Sequence, residues 1–163
     1  MKIEIVGGTF EQQELCLDFA DYALHSLCGP RLYRTLEVEL TIAPDIGHLG
    51  NAHTIDGERW PKYFEVEIEE RLQKRPQLQV LAHELVHVKQ YAKGHLRQLQ
   101  RGGYSWLGAK YKHITPDREI WSKEYNRLPW EIEARGMEEV LFVEWCEDRG
   151  ITDDWAFIDL YEH

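Results

Sequence analysis

Cysteine is scarce in this chain, and long apolar runs are missing. The three cysteines, Cys16, Cys28 and Cys146, are odd in number, widely scattered and never spaced as CxxC. That argues against a disulfide framework or a cysteine zinc knuckle and fits a reducing, cytoplasmic setting. No stretch approaches the roughly 18 consecutive apolar residues of a membrane span. The opening MKIEIVGGTF has no apolar core of the kind a signal peptide carries. Basic residues are outnumbered, 19 Lys and Arg against 29 Asp and Glu, for a net charge of −10. A phosphate backbone needs a basic face, so a nucleic-acid partner is disfavoured. Repeats, low-complexity tracts and Pro/Gly/Ser linkers are also lacking. The 163 residues therefore read as one domain, 1–163, long enough to bury its own core.

What the chain does hold is clear periodicity. Lys2–Val6 predicts a short strand ending at Gly7-Gly8. Cys16, Phe19, Ala20, Ala23, Leu24 and Leu27 fall at helical spacing across Glu11–Cys28, with Gly29-Pro30 as the stop. Leu36, Val38, Leu40 and Ile42 alternate with Glu37, Glu39 and Thr41. Phe64, Val66 and Ile68 alternate with Glu65, Glu67 and Glu69. Two strands with one apolar and one acidic side suggest a small antiparallel or mixed sheet, with helices packed on one side. Glutamates directly opposite one another would repel, and the acidic side reads as a solvated face. Between the strands, HLGNAHTIDGERWP reads as a turn-rich surface loop. A Gly-containing connection, Gly94–Tyr104, and the stretch SWLGAKYKH follow the next helix. Pro129 then suits the first turn of a second long helix running to about Cys146, and Asp153–Tyr161 reads as a short terminal element. The expected fold class is α+β.

That next helix is the unusual one. Across VLAHELVHVKQYAKGH and the residues just ahead of it, the apolar Leu78, Val80, Leu81, Ala82, Leu85, Val86, Val88, Tyr91 and Ala92 surround most of the circumference, as in a buried helix. Yet the same segment carries His83, Glu84 and His87. An unpaired buried polar group costs about 1–3 kcal/mol, so something must bind these side chains. His83 and His87 are one turn apart, with Cβ atoms about 5–6 Å from each other. They can offer ring nitrogens to one zinc ion at roughly 2.0–2.1 Å. Glu84 is rotated about 100° from His83 and lies beside the ion without ligating it. This is the HExxH pattern, with the glutamate as general base.

Catalytic zinc usually keeps three protein ligands and one open position. His95 lies eight residues past His87, beyond Gly94, and reads as a loop histidine. The metzincin spacing asks for Gly and His where Gln90 and Lys93 stand, so that class is excluded. The better source is LPWEIEARGMEEVLFVEW. There Trp130, Ala134, Met137, Leu141 and Trp145 form an apolar stripe flanked by Glu131 and Glu133.

HELVH followed some forty residues later by E-x-x-A on a helix resembles the gluzincin class of zinc peptidases. HELVH, SWLGAKY and LPWEIEA together are similar to small metallopeptidase-like proteins often found in phages, grouped loosely with SprT-like and ImmA/IrrE-like proteins. The resemblance covers about Phe64–Trp145. It implies a minimal zincin-like fold, Glu131 as third metal ligand, and Ala134 as the small residue that lets two helices approach. Glu133 is the alternative ligand. Arg135 stands where the class has Asp or Asn, a position that orients a ligating histidine. Another acceptor must fill that role here. The later third histidine of SprT has no counterpart in this chain.

The expected activity is hydrolysis of peptide bonds in a peptide or protein substrate. Zinc lowers the pKa of water from about 15.7 toward 7, and Glu84 takes the proton and delivers it to the leaving amine. Phe64–Glu69 offers a strand edge on which an extended peptide can lie. Tyr104, Tyr111, His113 and Arg135 are candidate donors to the developing oxyanion. Trp106, Trp121 and Trp130 read as packing residues, His48 and His53 as solvated, and His25 as chemically idle. Two other functions fit the residues: a regulatory protease with one dedicated target, as the ImmA-like resemblance implies, and a metal-stabilised binding module that does not turn over.

Overall fold

The computed structural model describes residues 1–112, 114 and 123–157. The chain runs β1 (Lys2–Gly7), α1 (Phe10–Tyr33), β2 (Glu37–Ala43), β3 (Gly50–Thr54), β4 (Tyr63–Glu69) and α2 (Lys74–Ala92). It continues through β5 (Leu96–Gln98), β6 (Tyr104–Trp106), β7 (Ala109–Tyr111), α3 (Lys123–Asn126), α4 (Pro129–Arg149) and α5 (Asp154–Phe157). Two small sheets pack against helices, as an α+β reading anticipates. Among the described residues no helix is long and apolar enough to cross a membrane.

Local chemistry sets the helix ends. Thr9 opens α1 with a reciprocal cap: its hydroxyl accepts from the Gln12 N–H, and the Gln12 amide oxygen accepts from the Thr9 N–H. The predicted stop is visible as a break at Gly29, with φ of 73° and ψ of 168°, after which the chain makes one more turn to Tyr33. Pro129 occupies the first turn of α4, where its missing N–H costs nothing, and Gly150 ends that helix in the left-handed region at φ of 65°. Of the predicted terminal element, α5 is present, and residues 158–161 lie outside the described residues.

The larger sheet has the order β1-β2-β4-β3. Its β1/β2 and β2/β4 pairs are parallel and only β3 runs antiparallel, along β4. The sheet is thus mixed, the second of the two expected arrangements, and the two acidic-sided strands pair in parallel. Alternation reports a covered face and an open one; it is blind to strand direction. The β1/β2 direction follows from α1, which carries the chain from the end of β1 back to the start of β2, and the β2/β4 direction from β3, which runs back antiparallel before β4 begins. Glu4, Glu39 and Glu65 do stand side by side across the ladder. Each has a local partner: Lys2 lies 3.0 Å from Glu4, the Tyr63 hydroxyl donates to Glu39, and His53 lies 3.2 Å from Glu65.

The HLGNAHTIDGERWP segment is a correction. It contains β3, so it is not simply a loop. With β3 on one side and β2 on the other, β4 has no free edge. The edge beside the site belongs to β3.

The covered face of the sheet joins α1, α2 and α4 in one core containing Phe19, Leu40, Phe64, Val66, Leu85 and Phe142. Each fully buried side chain of this size contributes roughly 1.5–3 kcal/mol. α2 is central: it touches α1, β3, β4 and α4. The predicted α4 stripe faces inward, with Ala134 and Leu141 fully enclosed and Met137 partly so. Trp145 packs edge-on against Phe19 at 5.4 Å, and its indole N–H donates to Asp18 at 2.9 Å, locking α1 to α4. The short strands β5, β6 and β7 form an antiparallel sheet across the predicted Gly94–Tyr104 connection and the SWLGAKYKH stretch. That sheet lies beside a smaller cluster of Leu96, Ile114, Leu128 and Trp130, rimmed by Tyr91, Tyr104, Trp106 and Tyr125.

Candidate metal centre

α2 lies between the sheet and α4, so its polar residues are enclosed by construction. Glu84 and His87 are buried, and the His83 side chain is 16% exposed. The two imidazoles leave the same side of the helix with ring centroids 4.8 Å apart. α4 begins opposite them. Glu131, in its first turn and 1% exposed, directs its carboxylate between the rings. Oε2 lies 3.0 Å from His83 Nε2, and Oε1 lies 3.1 Å from His87 Nε2. Donor atoms of His83, His87 and Glu131 all fall within 4.8 Å of one another.

The outer ring nitrogens decide what this convergence means. His83 Nδ1 is 2.6 Å from Glu138 Oε1, and His87 Nδ1 is 2.8 Å from Gln90 Oε1. Both partners are acceptors, so each Nδ1 carries a hydrogen and each neutral ring turns its Nε2 lone pair toward the Glu131 carboxylate. Three electron-rich groups aimed at one point require a cation or additional protons. In the absence of a metal the rings hold protons: burial pulls His83 down, but its bonds to Glu131 and Glu138 outweigh this and raise it to about 10. His87 is raised as well, burial again being outweighed by Glu131. Burial would raise the Glu131 carboxyl, yet the two histidines hold it well below the usual range. Two imidazole nitrogens and one carboxylate are equally the donor set of a three-ligand zinc site. The residues fit such an ion.

Glu84, next to His83, is not part of the donor cluster but lines the same cavity. Burial raises its carboxyl above the ordinary range, an effect opposed by His87 and His83. Its side chain packs against β3 at Gly50, where a Cβ would stand 3.0 Å from Glu84 Oε1 and 2.6 Å from a Val80 methyl. Only a residue without a side chain fits there.

Other sequence candidates fall apart from the cluster. Glu133 pairs with Lys89 at 2.5 Å and accepts from Gln90 at 3.4 Å, so the geometry favours Glu131 over it as the third donor. His95 stacks edge-on with Trp106 at 6.2 Å, and His25 with Tyr33 at 4.9 Å. His113 and Trp121 lie outside the described residues. Tyr111 packs on Trp130 at 5.2 Å. Tyr104 and Arg135 face a cavity of about 600 Å³ that opens onto the cluster, and so do His48 and His53, which the sequence alone places in solvent. His53 is exposed, in keeping with that reading, and lines the cavity from within β3; His48, just ahead of β3, is half-buried. His48 Nδ1 is enclosed there with no hydrogen-bond partner among the described residues.

Three contributors escaped the sequence reading. Glu138 is seven residues past Glu131, two turns along the same side of α4, and takes the orienting role that Arg135 cannot fill. Gln90 sits one turn past His87, and its amide N–H also donates to the Trp130 carbonyl at 2.9 Å. Helical arithmetic points to both. Tyr125 donates its hydroxyl to Glu131 Oε1 at 2.7 Å from the separate α3, and no periodicity marks it. Removing such an outer partner costs about 10–100-fold in metal affinity. Glu138→Ala is accordingly expected to weaken zinc binding within that range. Competition against a chromogenic chelator measures it, and unchanged affinity would show that Glu138 orients nothing.

Comparison with known proteins finds no family model, no curated protein and no solved structure that matches this chain.

Proposed function

We propose that this chain is a zinc-dependent peptidase of the HExxH, gluzincin-like kind, built on a minimal zincin-like arrangement. The convergence of His83, His87 and Glu131 beside a buried Glu84, on the wall of a cavity bordered by a free sheet edge, carries this reading. Bound zinc would supply Lewis acidity toward a carbonyl oxygen and acidity to water.

The chain's own residues do the rest. His83, His87 and Glu131 hold the ion, while Glu138 and Gln90 fix the two rings. Glu84 accepts the proton of the attacking water and returns it to the leaving amine. Burial holds its carboxyl above the ordinary carboxylate range, which favours its taking up a proton. Tyr104, on the cavity wall, is a candidate donor to the developing oxyanion. The outer edge of β3, unpaired in the sheet order, can take an extended peptide by strand addition and run its backbone past the cluster.

The test begins with protein purified without added metal. Elemental analysis is expected to give one zinc per chain. A mixture of unmodified peptides, mapped by mass spectrometry, is expected to show internal cleavage that a chelator stops and zinc restores. Protein lacking bound metal, or cleavage indifferent to chelation, would overturn the reading.

A further inference from the structure

Arg135 is the one Lys or Arg among the described residues lining the cavity, whose acidic members are Glu84, Glu131 and Glu138. It stands one turn past Glu131 and three residues before Glu138, positions from which a helical arginine ordinarily pairs with a carboxylate. It pairs with neither. Glu131 is taken up by the two imidazoles and Tyr125, and Glu138 by His83. Among the described residues the guanidinium bonds the neutral Asn126 carbonyl oxygen, through one of its five N–H donors. It is exposed, and its remaining donors are available to the cavity. In a chain of net charge −10, this is a local cation placed beside the site against the overall field.

From these positions we infer that Arg135 binds a carboxylate of the substrate, close to the bond that is cut. The inference rests on the peptidase reading for the identity of the chain that bears the carboxylate. The Cβ atoms of residues 131 and 135 lie about 5–6 Å apart, less than two residues of an extended peptide at about 3.3 Å each. Arg135 thus stands on the next turn of α4 from Glu131 and lines the same cavity, so the carboxylate it takes belongs to the part of the substrate lying beside the cluster. An Asp or Glu side chain and a free C-terminus present the same group, and a planar guanidinium takes either in bidentate fashion.

Three thiol probes separate these sources: mercaptoacetyl-Leu-Glu-amide, mercaptoacetyl-Leu-Gln with a free carboxylate, and mercaptoacetyl-Leu-Gln-amide, which has none. Each is titrated calorimetrically into the zinc-loaded full chain. At least one carboxylate probe is expected to bind roughly tenfold more tightly than the neutral one. Which one does so identifies the source. The advantage is expected to vanish in Arg135→Gln, return in part in Arg135→Lys and reverse in Arg135→Glu. Equal affinities in the wild type, an advantage that survives Arg135→Gln, or no binding of any probe overturns the inference. Peptide hydrolysis is read separately. A carboxylate preference without turnover sinks the peptidase reading and leaves the Arg135 site standing. Turnover without the preference does the opposite.

Discussion

His83→Ala and His87→Ala are expected to lose the metal, whereas Glu84→Gln is expected to keep it and lose hydrolysis. The three residues lie within five positions of one another on one helix, yet their predicted phenotypes divide because their geometry divides. The histidine rings point at Glu131, with Nε2 to carboxylate distances of 3.0 and 3.1 Å. Glu84 packs instead against Gly50. Zinc bound by a small protein site is held by an apparent 10–16 kcal/mol shared among its ligands, so each ligand removed costs on the order of 10²–10³ in affinity. Glutamine matches glutamate in size but accepts no proton, and a lost general base lowers turnover by about 10²–10⁴. Zinc content by elemental analysis and the rate of cleavage of one mapped peptide read the two effects independently. Equal metal in all three variants would contradict the assignment of the ligands.

The second large effect is expected at a residue with no functional group. Gly50→Ala should slow hydrolysis at least about tenfold while zinc content stays at one per chain, and overpacking of this kind costs about 1–3 kcal/mol of stability. The new methyl would stand 2.6 Å from Val80 Cγ1 and 3.0 Å from both Cγ and Oε1 of Glu84. Val80 is β-branched and held in one strongly preferred rotamer on its helix. The strain therefore falls on the Glu84 carboxylate, or lifts β3 away from α2. Either outcome displaces the proposed general base or the proposed peptide-binding edge and leaves His83, His87 and Glu131 untouched. Zinc content, melting temperature and kcat/KM, measured together, test this. A Gly50→Ala protein with undiminished kcat/KM would show that the β3 contact has no bearing on Glu84.

The HELVH helix was legible because it breaks its own rule: titratable residues in a segment apolar nearly all round. The stripe of Trp130, Ala134, Met137, Leu141 and Trp145 marks the side of α4 that turns inward but leaves Glu131 and Glu133 both beside it; the choice of Glu131 comes from the gluzincin resemblance. β3 was not legible. Its sequence, GNAHT, has neither β-branched alternation nor an apolar side, and among the described residues it pairs on one edge only. β5, β6 and β7 are three residues each, too short for any period to register. The parallel pairing of β2 with β4 was hidden for a different reason: it depends on where the crossovers run, and side-chain alternation does not record that. Tyr125 reaches Glu131 through tertiary folding alone, whereas Glu138 and Gln90 were findable by counting turns from the residues they support.

Gln90 joins two parts of the site that are forty residues apart in sequence. Its oxygen bonds the His87 ring, and its nitrogen bonds the Trp130 carbonyl, one residue ahead of Glu131. Any slide of α4 along α2 would therefore carry the carboxylate and turn the imidazole in the same movement. The ligand set is geared: it travels as one piece, and its spacing is preserved through motions that would pull apart three independently mounted side chains.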